Sequence, residues 1–170
     1  MTEVAREMDA YKIIITKRDT RSYSERAISD ESLRRILQAG RMAGSAKNLQ
    51  PCRFVVMRSA EKKRELAGCG QFAQQVPNAA VAIAIVVPND AREFDAGRAA
   101  QNMMLAAWSE GIASCAVTMH DADCARRVLR LPEGYRVSIV IPFGYPPAEG
   151  VQSLGAKRLA LEEIVHDETW

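Results

Sequence analysis

The sequence predicts one domain of mixed α and β structure, and three observations support this prediction. Segments with helical spacing alternate along the chain with short apolar segments. Residues 79–87 form a continuous apolar run with the length of a buried strand, and residues 95–110 form a long helical pattern that Gly111 ends. No internal repeat, low-complexity tract or linker divides residues 1–170, a length that fits a single domain.

The first third of the chain predicts two helices and a strand. Residues 8–17 carry apolar positions that suit a helix ending in a group of cations. Ser29 is typical of a helix N-cap, and acidic residues follow it before apolar positions at helical spacing. Residues 54–58 form a short strand candidate.

The remaining elements follow the same logic of caps and breakers. Ser59 caps a helix that reaches residue 67, and the turn residues 88–90 end the buried strand 79–87. Residues 114–119 have strand character, and Asp121 caps a helix to residue 131. After a turn at Pro132-Glu133-Gly134, residues 137–143 form the last strand.

The helix of residues 95–110 contains mostly small and apolar side chains and few charges. Such a helix cannot present a wide face to water. It is therefore a central core helix, and the same pattern also permits a homodimer interface. Gln101 and Asn102 would then need hydrogen-bond partners inside the protein or on a ligand.

Composition argues against several classes of protein. The net charge of +2 is too weak to indicate a nucleic-acid-binding protein, and no apolar run is long enough to cross a bilayer. Residues 1–10 lack the apolar core of a signal peptide, so a cytoplasmic protein is expected. The four cysteines lack the paired spacing of zinc ligands, and free, mostly buried thiols are expected.

Two polar segments carry the functional information. Residues 17–23, Lys-Arg-Asp-Thr-Arg-Ser-Tyr, contain three cations within five positions at a predicted helix end. Residues 45–53, Ser-Ala-Lys-Asn-Leu-Gln-Pro-Cys-Arg, form a loop of small and amide side chains that leads into a strand. Cations neutralise a phosphate, and backbone N–H groups can approach a flat polar ring. A phosphorylated planar cofactor is indicated, with flavin mononucleotide (FMN) as the first candidate.

Taken one by one, these residues also have plainer interpretations. The cations of residues 17–21 could be a solvated helix terminus that interacts favourably with the helix dipole. Asn48 could close a turn, and Cys52 could be a small buried apolar side chain.

The order of the motifs resembles the nitroreductase family of flavin enzymes from about residue 12 to the end of the chain. The resemblance rests on these segments: Lys17 to Tyr23, the loop with Asn48 and Gln50-Pro51, Arg98 to Met103, Glu110 to Cys115, Phe143 to Pro146, and Lys157-Arg158. No single segment is specific, and the match comes from their order and spacing.

The resemblance implies an α+β fold, with a central and mostly antiparallel sheet flanked by helices, in an intertwined homodimer. It implies FMN at the subunit interface and electron transfer from NADH or NADPH to a small electron-poor acceptor such as a nitroaromatic compound or a quinone. Hydride transfer needs no protein nucleophile, so no catalytic side chain and no metal are expected. The residues that match the family's cofactor contacts are Lys17, Arg18, Asp19, Arg21, Ser45, Ala46, Asn48, Lys157 and Arg158.

The resemblance assigns these residues different parts of the cofactor. Lys17 and Arg21 match cations for the phosphate and the flavin ring edge, and Arg18 and Asp19 match the ribityl contacts between them. The loop with Ser45, Ala46 and Asn48 matches the one that reaches a flavin shared with the partner subunit. Lys157 and Arg158 would close over the phosphate.

Three departures from the family pattern qualify these assignments. Asp19 replaces the usual Ser and is expected to pair with Arg18 or Arg21; Ala46 replaces a Ser; and Cys52 replaces a Trp. Few residues separate Asp90 from Arg98, which leaves little room for the lid insertion that many family members carry and predicts an open, poorly selective substrate face.

Alternative functions remain open within the same fold. They are reductive dehalogenation, oxygen-dependent fragmentation of the flavin, use of a deazaflavin, and flavin binding without enzymatic activity.

Overall fold

The computed structural model describes residues 9–149 and 157–170, which form one four-stranded sheet with helices on both faces. The strands are β1 (Arg53–Met57), β2 (Val81–Pro88), β3 (Ala113–Ser114) and β4 (Tyr135–Gly144). Their spatial order is β1-β2-β4-β3, and each neighbouring pair is antiparallel. The predicted α+β class and antiparallel sheet are confirmed.

Three helices begin at the caps that the sequence predicts. Ser29, Ser59 and Asp121 each accept a hydrogen bond from a backbone N–H in the first turn of the helix that follows, at 3.1, 3.1 and 2.8 Å. The helices are α1 (Ala10–Thr16), α2 (Asp30–Arg41), α3 (Ala60–Ala67), α4 (Glu93–Ser109), α5 (Ala122–Leu129) and α6 (Leu161–Ile164), with a 3-10 turn at Ala46–Asn48. The sequence did not predict α6.

The apolar core has two layers, one on each face of the sheet. Helices α2 and α4 cover the face with Ile83 and Ile85, while α3 and α5 cover the face with Ala82 and Ala84. Both faces of β2 are therefore buried, which explains why its sequence is a continuous apolar run rather than an alternating one.

Helices α2 and α4 approach each other closely at Gly40. A Cβ atom at this position would lie 2.7 Å from Cγ of Met103, a fully buried side chain of α4. Asn102 donates a hydrogen bond from Nδ2 to the Ala39 carbonyl at 3.3 Å, while Gln101 is exposed. The interpretation of α4 as a central core helix is confirmed.

Two local predictions are wrong. Of the expected strand 114–119, only Ser114 belongs to β3 (Ala113–Ser114). Within the rest of that range, a single isolated bridge joins Val117 to Val140 of β4.

The cysteines are also not all free, because Cys69 and Cys124 form a disulfide with a Cα–Cα distance of 5.5 Å. The backbone N–H of Asp121 donates to the Cys69 carbonyl at 3.0 Å, which brings the start of α5 against the end of α3. Cys52 and Cys115 remain thiols, as expected.

In the part of the chain that the structure describes, no helix is long and apolar enough to cross a membrane.

Candidate functional site

The cationic segment after α1 lies against the edge of the sheet, and we call Lys17, Asp19, Thr20 and Arg21 the basic corner. The Lys17 N–H donates to the Ile13 carbonyl at 3.0 Å and closes α1. Asp19 then pairs with Ser114 of β3, and the Thr20 N–H donates to the Ser114 carbonyl at 3.2 Å. The sheet thus fixes the backbone of the segment that carries the cations.

Tyr23 fastens the basic corner to β4. Its hydroxyl donates to the Thr20 carbonyl at 2.7 Å, and its ring lies against Gly144. Burial of the phenol, with a smaller contribution from the charge of Asp19, raises the pKa of Tyr23. The hydroxyl therefore remains a proton donor at neutral pH.

The charges of the basic corner are arranged differently from the sequence prediction. The Lys17 ammonium donates to Oδ1 of Asp19 and lies 3.6 Å from Sδ of Met104 in α4. Arg18 turns back to the helix instead, since its Nη1 donates to the Ile15 and Lys17 carbonyls at 2.9 and 2.8 Å. The expected pairing of Asp19 with Arg18 or Arg21 is therefore wrong.

Arg21 is exposed, and no hydrogen bond or ion pair joins it to another residue within 9–149 or 157–170. Burial raises the pKa of the nearby Cys115 thiol and Asp19 raises it further, while Arg21 and Lys17 act in the opposite direction. Lys17, Asp19 and Arg21 are therefore all close enough to Cys115 for their charges to act on its thiol. Arg21 has the freedom to bind an anion there.

The loop of residues 45–50 is a tight turn with unusual backbone geometry. Oγ of Ser45 accepts from the Gln50 N–H at 2.8 Å, and the Ser45 carbonyl accepts from the Asn48 N–H at 3.0 Å. Lys47, Asn48 and Gln50 have φ angles of 49°, 55° and 49°. Three non-glycine residues in the left-handed region are costly and persist where the surrounding structure fixes them, often at functional sites.

Asp95 connects this loop to the first turn of α4. Its carboxylate is buried, at 6% exposure, and Oδ2 accepts from the Ala46 N–H at 3.4 Å. From the sequence, Asp95 was predicted only as the start of a helix. Its position on the core-facing side of a helix with few charges could have indicated its contact with the loop, because a buried carboxylate needs a partner.

A cavity of about 170 Å³ lies between the end of α2, the loop and the start of β1, with Cys52 and Asp95 in its wall. A second cavity, of about 440 Å³, shares Asp95 and Gln50. Burial raises the pKa of Cys52 and the Asp95 carboxylate raises it further. Cys52 therefore lines the cavity as a neutral thiol at physiological pH.

The loop of residues 45–50 and the basic corner contact different parts of α4. Asp95 holds the loop near the start of the helix, whereas Met104 touches Lys17 nine positions later. At a rise of 1.5 Å per residue, this separation is about 14 Å along the helix axis. The structure pairs Lys17 with Asp19 and places Arg21 within electrostatic range of the same thiol, Cys115. No described contact brings Ser45, Ala46 or Asn48 to these residues.

Lys157 and Arg158 are also not brought to the basic corner by any described contact. Both side chains are exposed, and neither forms a hydrogen bond or ion pair with the described residues.

The model of the nitroreductase family matches residues 14–87 and 73–145 of the chain, which together make up most of its length.

The chain belongs to the nitroreductase family.

A relative from Archaeoglobus fulgidus supports this membership. It is 35% identical over 152 residues, which cover 83% of this chain and 87% of the relative, and it is named as a candidate NADH dehydrogenase/NAD(P)H nitroreductase.

Solved structures of other nitroreductase-like proteins have the same fold. A candidate nitroreductase from Desulfovibrio desulfuricans, in complex with FMN, has a TM-score of 0.83 and 31% identity over 96% of this chain and 99% of that one. The NADPH:FMN oxidoreductase of Vibrio harveyi, complexed with NAD⁺, has a TM-score of 0.84 and 25% identity over 95% of this chain and 77% of that one.

The side chains of this nitroreductase-family protein fit a phosphorylated flavin. The basic corner carries the Lys17 ammonium and the exposed Arg21 guanidinium, and groups of these kinds bind phosphate and the polar edges of planar rings. Among the described residues, no group of three or more His, Cys, Asp or Glu side chains is arranged for a metal ion.

Proposed function

We propose that this protein is an FMN-dependent oxidoreductase that transfers electrons from NADH or NADPH to a small electron-poor acceptor, such as a nitroaromatic compound or a quinone. The observation that carries the proposal is the basic corner, where β3 and Tyr23 hold the backbone of the segment that carries Lys17 and the exposed Arg21. The family membership supports it, and so do the FMN and NAD⁺ complexes of the two similar structures.

The residues would divide the work as follows. Lys17 and Arg21 would bind the phosphate and the pyrimidine edge of the flavin, and Asp19 would face the ribityl chain beside Arg18. A cation at the ring edge stabilises the negative charge of the reduced state, because it acts in a partly desolvated place. Bound FMN would supply the hydride and electron chemistry, and no side chain needs to act as a nucleophile.

A homodimer would complete the site with residues from the second chain. The separation of about 14 Å along α4 supports this, because Ser45, Ala46 and Asn48 can then serve the flavin of the partner. Lys157 and Arg158 would close over the phosphate.

Exposed apolar surface supports the same assembly. Helix α1 has no buried residue, and its Tyr11, Ile14 and Ile15 side chains are more than half exposed. Leu161 and Ile164 of α6 are also more than half exposed. Large apolar side chains at this density are typical of a surface that another chain covers.

The visible absorption spectrum of the purified protein, taken before and after anaerobic NADH or NADPH, tests this function. The expected result is a flavin spectrum that bleaches on addition of the nicotinamide. A flavin that stays oxidised would instead favour a non-enzymatic flavin-binding protein or a different electron donor. A colourless protein that takes up no added FMN would refute the proposal.

The proposal also includes a cytoplasmic location and a single flavin-binding domain over residues 1–170. The Cys69–Cys124 disulfide argues against a cytoplasmic location, because disulfides are rare in the reducing cytosol of most organisms. The fraction of oxidised Cys69 in protein from gently lysed cells, trapped with an alkylating reagent, would measure this directly.

A further inference from the structure

We propose that Asp19 competes with the cofactor phosphate for Lys17, so that this chain distinguishes FMN from unphosphorylated riboflavin only weakly. This inference rests on the proposed function, since it concerns how the basic corner receives a flavin. It follows from two observations on the charges around Lys17 and a third on the charge of the ligand.

The first observation is the direct ion pair between Lys17 and Asp19. The Lys17 side chain is only 10% exposed and is held from the other side by Met104, whereas the Asp19 side chain is 56% exposed. The cation is thus fixed inside the corner with a carboxylate directly against it. An anionic ligand that approaches Lys17 meets this carboxylate first.

The second observation is that the basic corner keeps little net positive charge once Asp19 is counted. Arg18 donates to two carbonyl groups at the end of α1 and is turned away from Lys17. Arg21 is the remaining cation at the basic corner. Lys17, Asp19 and Arg21 together carry a net charge of +1, because two positive charges face one negative charge.

The third observation concerns the ligand's own charge. A phosphate monoester carries a charge of about −1.5 to −2 near pH 7. The net charge of +1 at the basic corner leaves part of this charge unneutralised until Lys157 and Arg158 close over the phosphate, and the Asp19 carboxylate repels it. A ribityl hydroxyl is neutral and can donate a hydrogen bond to the same carboxylate. Asp19 therefore weakens the binding of FMN and tolerates riboflavin.

The size of the effect follows from the exposure of Asp19. A charge within about 4–6 Å of an ionisable group changes the protonation equilibrium of that group about 10- to 1000-fold, and we apply the same range to the binding of a charged phosphate. Because solvent screens a carboxylate that is more than half exposed, the lower end of this range applies. We expect removal of the Asp19 charge to tighten FMN binding about tenfold and to change riboflavin binding less than twofold.

The test measures dissociation constants of FMN and riboflavin for the apoprotein by quenching of flavin fluorescence. The main variant is Asp19→Asn, which keeps an oxygen acceptor for Lys17 and removes only the charge. Asp19→Ser provides a second variant with a smaller side chain. Glu133→Gln is the control, because it removes one exposed carboxylate from the turn before β4, and thermal melting curves check the folding of each protein.

Tighter FMN binding in both Asp19 variants, with riboflavin and the control unchanged, supports the inference. Added salt should also weaken FMN binding more in Asp19→Asn than in the wild type, because the net attraction is larger there. An FMN affinity that is unchanged or weaker in these variants would overturn it and would make Asp19 a positioning residue for Lys17. Equal tightening of both flavins would overturn it too. If no protein binds FMN, the proposed function fails together with the inference.

Discussion

Gly144 lies directly beneath the ring of Tyr23. A Cβ atom at Gly144 would come within 2.8 Å of Cδ1 and 2.9 Å of Cγ of that ring. The glycine thus allows Tyr23 to lie flat on the end of β4 and to reach the Thr20 carbonyl with its hydroxyl. The position of the basic corner depends on the absence of a side chain at residue 144.

Gly144→Ala should therefore destabilise the protein and loosen the basic corner. The new methyl group must displace the ring, and overpacking of this kind costs about 1–3 kcal/mol of the free energy of unfolding. Urea denaturation would measure this cost, and flavin affinity should fall in the same variant. Tyr23→Phe keeps the ring but removes the hydrogen bond, so it should cost only about 1 kcal/mol. If Gly144→Ala were as stable as the wild type, this result would contradict the close contact between Gly144 and the Tyr23 ring.

Arg21→Ala should weaken FMN binding by about 10- to 100-fold. Among the described residues, no hydrogen bond or ion pair engages the Arg21 guanidinium, and a charge-assisted hydrogen bond to a ligand contributes about 1.5–3 kcal/mol. Fluorescence titration of the apoprotein with FMN measures the change. Arg34→Ala serves as the control, because it removes an equally exposed arginine from α2. Full retention of FMN and normal turnover in Arg21→Ala would remove Arg21 from the proposed site.

Reduction of the Cys69–Cys124 disulfide should lower the free energy of unfolding by about 4 kcal/mol. The two cysteines are 55 residues apart, and a closed loop of that length restricts the unfolded chain by about this amount. Urea denaturation with and without a reducing agent gives the difference. The response should vanish in Cys124→Ser and persist in Cys52→Ser, which leaves the disulfide intact. A native protein with four titratable thiols would show that the bond does not form.

Leu161→Asp combined with Ile164→Asp should convert the proposed dimer to a monomer and release its flavin. Both side chains are exposed on α6, and burial of a charge in an apolar interface is unfavourable. Analytical ultracentrifugation measures the mass of the assembly. Glu162→Lys changes the charge of α6 at an acidic position and should leave the dimer intact. A wild-type protein that is yellow, active and monomeric would refute the shared site.

Two glycine substitutions should change stability in opposite directions. Gly40→Ala brings a Cβ atom to 2.7 Å from Cγ of Met103 and should destabilise the protein by about 1–2 kcal/mol. Gly97→Ala meets no atom within 4 Å and should stabilise α4 by about 0.5–1 kcal/mol through its higher helix propensity. Thermal or urea unfolding compares the two. Destabilisation by Gly97→Ala would indicate that another chain covers this side of α4.

The sequence predicted the fold where local signals and burial agree. Residues 81–88 are apolar without interruption because both faces of β2 are covered, and Ser29, Ser59 and Asp121 cap helices as expected. Predictions failed where the outcome depends on distant parts of the chain. The disulfide is an example, since a hydrogen bond from Asp121 to Cys69 brings together two cysteines whose spacing matches no common motif.

At the candidate site, the sequence predicted the presence of the cations but not how they pair. Arg18 and Lys17 are adjacent and equally charged, yet one turns to the carbonyls of α1 and the other to Asp19. The choice depends on where α1 ends and on the position of Met104, both of which are features of packing. The role of Asp95 was missed for the same reason, because burial of its carboxylate becomes visible only when α4 lies beside the loop of residues 45–50.

The order of strands in the sheet also affects how the chain folds while it is being synthesised. Strand β2 pairs with β1, which precedes it, and with β4, which ends at Gly144. Until the ribosome has released β4, the apolar β2 therefore has an open edge that can pair with other nascent chains. Pairing between segments this far apart is slow, and such exposed edges favour aggregation. Expression at low temperature, or in cells with raised chaperone levels, should increase the soluble yield of this protein.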